Sequence, residues 1–255
     1  MKISIITICY NSEKFISRAI ESVLSQDFNE LEYLIIDGVS KDNTVSICES
    51  YRAVFEKKGV SYIISSEPDN GIYDAMNKGV SRATGDIIGI LNSDDYYASP
   101  DVLSSVMKTM DDDKLDSCFG NLLYVKDGKP YRYWKSGKPR TFKYGWMPPH
   151  PAFFVRRTVY NKIGNFRLDC GTAADYELML RMFQKNHISS EWVKKIFTYM
   201  EAGGASGAGL EARKKAHNSD RKAWEVNELK CGKLTLWLKK IRKLPQFFAA
   251  KFIKI

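Results

Sequence analysis

The five cysteines (9, 48, 118, 170 and 231) form no Cys-x-x-Cys pair and keep no ligand spacing to any of the three histidines. That argues against a zinc site and against a disulfide framework, and for reduced thiols in a cytosolic compartment. No apolar run approaches the ~20 residues needed to cross a bilayer. The first apolar run, 3–9, is too short for a signal-peptide core and meets Tyr-Asn-Ser-Glu at once, so the cytoplasmic side is expected. There is no internal repeat. What is present is an ordinary globular composition, 44% hydrophobic and 27% charged, in 255 residues, enough for one large α/β domain.

Charge is unevenly spread. Residues 211–255 carry thirteen Lys/Arg against four acids, while the rest balances at 26 of each sign, so the net +9 resides in the tail. A neutral body excludes a nucleic-acid-binding face there; the tail alone has an acidic partner. Within it Leu234, Trp237, Leu238, Ile241 and Leu244 recur at helical spacing between Lys233, Lys239, Lys240, Arg242 and Lys243. Pro245 interrupts, and Phe247, Phe248, Phe252 and Ile253 continue with Lys251 and Lys254. Such a basic amphipathic stretch over 231–255 reads as an anchor on an anionic membrane surface, or as a helix packed on its own domain or a partner subunit.

Strands are expected at 2–8, 33–36, 60–64 and 86–91, rich in β-branched residues and lacking polar alternation. Helices are expected after an N-cap at Ser12, over about 43–57 and over 72–83. This alternation predicts a mostly parallel central sheet covered by helices on both faces, with ligands beyond the carboxyl ends of the strands. A hairpin around Lys126-Asp-Gly-Lys129, a Pro-rich turn at 148–151, a strand at 152–155, a helix from about Thr172 and a strand at 193–200 follow. The run 202–209 holds four glycines in eight residues and reads as a loop or lid.

The segment Ile88-Gly-Ile-Leu-Asn-Ser-Asp-Asp95 runs a buried-type strand straight into paired carboxylates. Adjacent carboxylates at a strand end repel unless a cation sits near them. A hard divalent ion carrying a diphosphate is the economical answer, since Mg²⁺ takes one or two carboxylates plus phosphate oxygens. For an isolated Asp-Asp pair a solvated turn is the alternative.

Taken in order, Ser4-Ile-Ile-Thr-Ile-Cys-Tyr-Asn11, Ile36-Asp-Gly-Val-Ser-Lys-Asp-Asn-Thr44, Ser66-Glu-Pro-Asp-Asn-Gly-Ile-Tyr-Asp-Ala-Met-Asn-Lys-Gly79, Gly85-Asp-Ile-Ile-Gly-Ile-Leu-Asn-Ser-Asp-Asp95, His150-Pro-Ala-Phe-Phe154, Ala174-Asp-Tyr-Glu-Leu-Met-Leu-Arg181 and Gly203-Gly-Ala-Ser206 resemble a family 2 glycosyltransferase. The resemblance covers roughly 2–206, and the long Glu-Pro-Asp-Asn-Gly segment is most similar to the branch building O-antigen and capsule repeat units. It implies a single Rossmann-like nucleotide-diphospho-sugar transferase (GT-A type) domain over 1–210, followed by the basic helical tail 211–255.

The resemblance further implies roles. Asp37 would hold base and ribose of the donor, against a plain Asp-Gly turn; Thr7 and Tyr10 would line the nucleobase pocket, against a strand threonine and a hydrophobic lid. Glu67 and Asp69 would lie on the donor side, whereas Asp74 and Lys78 read as helix charges. The family's Asp-x-Asp motif stands here as Asn92-Ser-Asp94, so Asn92 falls to the ribose, Asp94 to the metal, and Asp95 becomes a second ligand. His150 would reach the metal or diphosphate, or bond a backbone carbonyl; Trp146 and Tyr144 would stack on the acceptor or fill core. Asp175 matches the catalytic base, against an ordinary first-turn Asp, with Glu177 facing away.

The implied reaction is inverting transfer from a nucleotide-diphosphate sugar, with UDP favoured, to a lipid-diphosphate-linked glycan in bacterial surface-polysaccharide synthesis. Mn²⁺ or Mg²⁺ would serve as cofactor, with the protein peripheral on the inner face of the inner membrane. Three rivals remain. A sugar-1-phosphate nucleotidyltransferase would carry a Gly-rich, Arg-bearing loop where Cys9-Tyr-Asn-Ser-Glu13 stands. A nucleic-acid-binding protein conflicts with the neutral body. A catalytically inactive nucleotide-sugar-binding scaffold is suggested by Asn92.

Overall fold

The computed structural model describes residues 1–202, 210–253 and 255, with 210–215 as backbone only. The expected lid and the motif Gly203-Gly-Ala-Ser206 lie outside the described residues, apart from Ala202. In chain order the elements are β1 (Ile3–Cys9), α1 (Ile16–Leu24), β2 (Leu31–Asp37), α2 (Thr44–Ser50), α3 (Arg52–Lys57), β3 (Ser61–Ser66), α4 (Ile72–Arg82), β4 (Ile87–Ile90), β5 (Asp95–Tyr97) and α5 (Val102–Met110). They continue with β6 (Ser117–Lys126), β7 (Lys129–Trp134), β8 (Phe153–Arg156), α6 (Arg157–Ile163), α7 (Ala174–Leu180), β9 (Ser190–Glu201), α8 (Leu210–Val226), α9 (Thr235–Ile241) and α10 (Leu244–Ala250).

One curled sheet runs β3-β2-β1-β4-β8-β6-β9-β5, with β7 pairing β6 at the side. The β3-β2-β1-β4 half is parallel throughout, as its two-faced apolar strands require. Beyond β4, the pairings of β8 and of the β6–β7 hairpin are antiparallel, and β6 with β9 is parallel. Period-two alternation divides β1 between two cores. Ile3, Ile5 and Cys9 pack with α1, α2, α3 and α5; Ile6 and Ile8 pack with α4, α6 and α7. The expected α/β sheet covered on both faces is therefore what forms.

Local details differ from the sequence expectation for physical reasons. Ser12 is not a side-chain N-cap: α1 starts four residues later, and the Ser12 hydroxyl lies 2.9 Å from that of Ser93. The expected helix over 43–57 is broken at Tyr51 into α2 and α3. The hairpin turn carries Asp127 and Gly128 at positive φ (50° and 72°), the conformation a tight β-hairpin demands.

The tail is docked. Trp224, 1% exposed, joins the core and donates through Nε1 to the Tyr176 hydroxyl at 3.0 Å. Asn227 donates to Glu177 Oε1 at 3.1 Å, and Lys239 bonds Asp220 at 2.7 Å above the Tyr176 ring. α9 rests on the loop at Gly145, and Thr235 Oγ1 donates to the Lys143 carbonyl at 3.0 Å. Phe247 of α10 meets Tyr131 of the hairpin edge to face at 5.3 Å. The outer face stays bare: Leu234, Trp237, Leu244, Phe248 and Phe252 are each more than 60% exposed.

Gly145 holds φ +70°, and a Cβ there would lie 2.2 Å from the Lys239 backbone nitrogen. Gly145→Ala therefore meets a left-handed-region cost of about 1–2 kcal/mol plus a backbone overlap. It is expected to lift α9, lower Tm by roughly 2–4 °C per kcal/mol, and speed protease cleavage near Lys233. Unchanged melting and cleavage would show that α9 does not seat on Gly145.

Candidate active site

The carboxyl ends of β1, β2 and β3 form the first part of the site. The Asp37 carboxylate is wholly buried, accepting from Ser40 N at 3.0 Å and Ser66 Oγ at 2.6 Å, and from Ser40 Oγ. It thus fastens the turn that carries Val39 at φ 63°, a costly conformation for a β-branched residue. Asn11, also at positive φ, accepts from Lys41 N at 2.8 Å. Thr7 points to the α1 side, fully buried, with the Tyr33 hydroxyl donating to its Oγ1 at 3.0 Å. Its side chain is core, so it reaches no cleft surface.

Tyr10, Gly38 and Asp69 do come together. A Cβ on Gly38 would lie 2.5 Å from Asp69 Oδ2 and 3.5 Å from Tyr10 Cδ2. Tyr10 is 58% exposed, an aromatic face open to solvent beside a carboxylate whose second oxygen takes no hydrogen bond among the described residues. The other Asp69 oxygen accepts from Gly71 N at 2.8 Å. Glu67 is engaged elsewhere: Arg82 donates to it at 2.8 Å and Lys78 stands at 3.6 Å, and Arg82 holds its carboxyl below the usual range. Lys78 also approaches Asp74, so these charges brace α4 as helix charges do.

The Asn92–Asp95 turn is the second part. Asp95 is 0% exposed; Asn92 Nδ2 donates to its Oδ2 at 2.9 Å. Asp95 Oδ1 and Asn92 Oδ1 are both buried without a partner among the described residues. Burial, then the neighbouring Asp94, raises the Asp95 carboxyl well above its ordinary range. Asp94 is half-buried and raised by burial, with Arg18 opposing. Arg18 itself bonds Glu201 at 2.7 Å and stacks on Tyr96 at 4.1 Å. Two orphaned acceptor oxygens beside two repelling carboxylates form a donor set suited to a hard cation completed by ligand oxygens. Among the described residues no three His, Cys, Asp or Glu side chains group as a metal cluster, so His150 does not join Asp94 and Asp95.

The third part is the start of α7. Asp175 Oδ1 accepts from the Tyr73 hydroxyl at 3.2 Å and from Tyr176 N at 2.7 Å, in the helix's first turn, where negative charge is favoured. His150 is buried against the Phe166 ring (5.5 Å); burial lowers its imidazole pKa, and the Asp175 carboxylate opposes. Tyr124 of β6 links the parts. Burial pushes its phenol up, Arg132 opposes, and the carboxylates of Asp95 and Asp175 both add to the rise. Asp95 and Tyr124 lie in one cross-strand row, each paired with Met200. Glu177 faces away into the core, paired with Arg181 at 2.9 Å. Trp146 is core, donating to the Ser136 carbonyl at 2.8 Å, while Tyr144 is 64% exposed.

Sequence reasoning missed Tyr73, Tyr124, Arg18 and Arg132. Tyr73 lies inside a quoted motif, but its partner is 102 residues away. The others look like routine strand or helix-surface residues.

A Rossmann-like sheet with carboxylates at the first-half strand ends and a held Asp at a helix start has the GT-A arrangement. The family model described as "Glycosyl transferase family 2" matches residues 4–177, and the chain belongs to that family. It is 32% identical over 194 residues to an uncharacterized glycosyltransferase of Mycobacterium tuberculosis, covering 70% of this chain and 68% of the relative. It is 31% identical over 128 residues, half of each chain, to the putative teichuronic acid biosynthesis glycosyltransferase TuaG of Bacillus subtilis. The crystal structure of S. aureus TarS 1–349 with UDP-GlcNAc superposes with a TM-score of 0.70 at 21% identity, covering 98% of this chain and 73% of that one. That likeness shows the shared fold.

Because folded Asp95 holds its proton more tightly than the unfolded chain does, the group costs nothing below about pH 4, where both states are protonated. Its cost grows as pH rises above that value. In chelator, Asp95→Asn is therefore expected to melt above wild type at pH 7, with the gain vanishing near pH 4. A lower Tm for the variant at pH 7 would show that the protein itself satisfies the carboxylate.

Proposed function

We propose that the protein transfers a hexose, with inversion, from a nucleotide-diphosphate sugar (UDP-linked) to a hydroxyl of a lipid-diphosphate-linked glycan in bacterial surface-polysaccharide synthesis. The observation that carries this reading is the Asp175 carboxylate held by the Tyr73 hydroxyl in the first turn of α7. The UDP-GlcNAc complex of TarS and the teichuronic acid role in the name of TuaG support the donor and the polymer class.

In the proposed reaction the donor base lies against Tyr10, with Asp69 accepting from its polar edge. Asp37 keeps the role of organiser for that turn. Asp94 and Asp95 would hold Mn²⁺ or Mg²⁺, which when bound supplies neutralisation of the diphosphate charge. Asp175 removes the proton from the acceptor hydroxyl. That oxygen attacks the anomeric carbon from the face opposite the diphosphate, whose C–O bond breaks with the electron pair passing to the leaving oxygen. Tyr73 holds the Asp175 carboxylate in line, and the fixed geometry supplies much of the rate.

Asp175→Asn keeps the hydrogen-bonding shape but cannot take a proton. It is expected to lower turnover by roughly 10²–10⁴-fold with UDP affinity retained, measured by sugar transfer and by titration. Near-normal turnover would remove Asp175 from the role.

The exposed apolar face of α9 and α10, flanked by Lys240 and Lys251, supports a peripheral site on an anionic membrane. The double substitution Trp237→Glu with Phe248→Glu is expected to abolish co-sedimentation with phosphatidylglycerol vesicles. High salt should weaken wild-type sedimentation; sedimentation of the variant equal to wild type would sink the anchor.

A further inference from the structure

We propose that Arg132 and Lys243 form a seat for a phosphate group carried by the acceptor, set beside the base Asp175 and at the start of the exposed apolar face of α10. This rests on the lipid-linked reading of the acceptor given above.

Arg132 lies on β7 and is 9% exposed, a buried cation. Its guanidinium stands 3.8 Å above the Tyr124 ring and within 6 Å of the Trp134 and Phe247 rings (5.7 and 5.8 Å). Aromatic faces hold the plane and leave its five N–H donors along the edge. No carboxylate among the described residues pairs with it. A buried cation without an anion is costly, and a guanidinium edge matches the bidentate geometry of phosphate.

Lys243 joins α9 to α10 and also has no carboxylate ion-pair partner among the described residues. Its surroundings, together with Arg132 and Lys239, lower its ammonium pKa; Asp220 and Asp175 oppose. Phe247, four residues beyond Lys243 and so on the same side of the helix, lies 5.8 Å from the Arg132 guanidinium, which places both cations on one side of α10, an arrangement that an incoming dianion relieves. Lys239 contributes less, being committed to Asp220.

Position favours the acceptor. Asp95 pairs Met200, Met200 pairs Tyr124, and Tyr124 pairs Arg132, so Asp95, Tyr124 and Arg132 share one face of the sheet in one row. Three strand spacings separate Asp95 from Arg132, about 14 Å of backbone. Arg132 thus sits on the β7 side of the sheet, whereas Tyr10 and Asp69 follow β1 and β3 in its other half, and Lys239, four residues before Lys243, stands over the ring of Tyr176, the neighbour of Asp175. Next to Lys243, Leu244 and Phe248 are exposed by 67% and 65%, an apolar track for a chain attached to the phosphate.

Titration of the full chain in chelator with farnesyl diphosphate, farnesol and inorganic pyrophosphate tests the seat. Wild type is expected to bind farnesyl diphosphate at least roughly tenfold more tightly than farnesol, and Arg132→Gln and Lys243→Gln each to lose most of that margin. Arg132→Lys should recover part of it, since charge returns without the planar stack. UDP affinity in Mn²⁺ reports the fold, and Lys243→Gln, at an exposed position, carries the test if Arg132→Gln does not fold. Wild-type affinity for farnesyl diphosphate in folded Lys243→Gln would overturn the proposal. Pyrophosphate binding as tight as farnesyl diphosphate, lost in both variants, would keep the phosphate seat and sink the lipid-linked acceptor.

Discussion

β1, β2 and β4 are buried on both faces, and that constraint arranges everything else. A strand covered on two sides tolerates almost no unpaired polar side chain along its length. Polar groups are therefore driven to the ends, and parallel strands put all of those ends on one edge. Asp37 sits at such an end and Asn92 just beyond another. Once there, each group must be satisfied by side chains from other turns. Asp37 succeeds with Ser40 and Ser66. Asp95 does not, because Asn92 supplies one donor and leaves an oxygen bare. The difference separates a carboxylate satisfied by its neighbours from one with an oxygen unpartnered among the described residues.

Asn92 shows how a departure from a motif is absorbed. A second carboxylate at that position would stand about as far from Asp95 as the amide now does, and two unscreened anions at hydrogen-bond distance repel strongly in a buried setting. The amide turns the same contact into a donor–acceptor pair at 2.9 Å. The substitution removes charge from the turn without emptying it, and it places the remaining negative charge on Asp94 and Asp95. With the amide in place the turn still carries two carboxylates.

Much of this was legible in the sequence. Two-faced apolar strands gave the parallel half-sheet, and the polar residues at their ends gave the site's edge. Thr7 was readable too: Ile3, Ile5 and Cys9 face α1, so Thr7, of the same parity, had to face α1 as well. Asp37 was less accessible, since its partner Ser66 is 29 residues away. Glu67 was drawn off by Arg82, a helix residue whose reach no local pattern reveals. Asp175 was singled out as a candidate by motif order alone; the Tyr73 hydroxyl that holds it became visible only when α4 and α7 met across the fold. Arg132 alternates along a hairpin like any surface cation, and only the arrival of Phe247 from α10 encloses it.

The tail's charge also divides once the contacts are known. Lys239 is spent on Asp220 and Lys222 on Asp169, internal pairs that fasten α8 and α9 to the domain. Those cations do no work for an external anion. What remains outward is a bare apolar face on α9 and α10, and Lys243 is exposed at their junction, four residues before the Phe247 ring that meets Arg132. A helix evolved only to lie on a membrane would turn all its lysines to the rim of its apolar face. This one sets a lysine at the helix junction, on the side where Phe247 meets Arg132. The tail thus presents two surfaces, an apolar face turned outward and a cationic junction beside the hairpin, and the amphiphilic acceptor proposed above, apolar at one end and anionic at the other, would lie at the boundary between them.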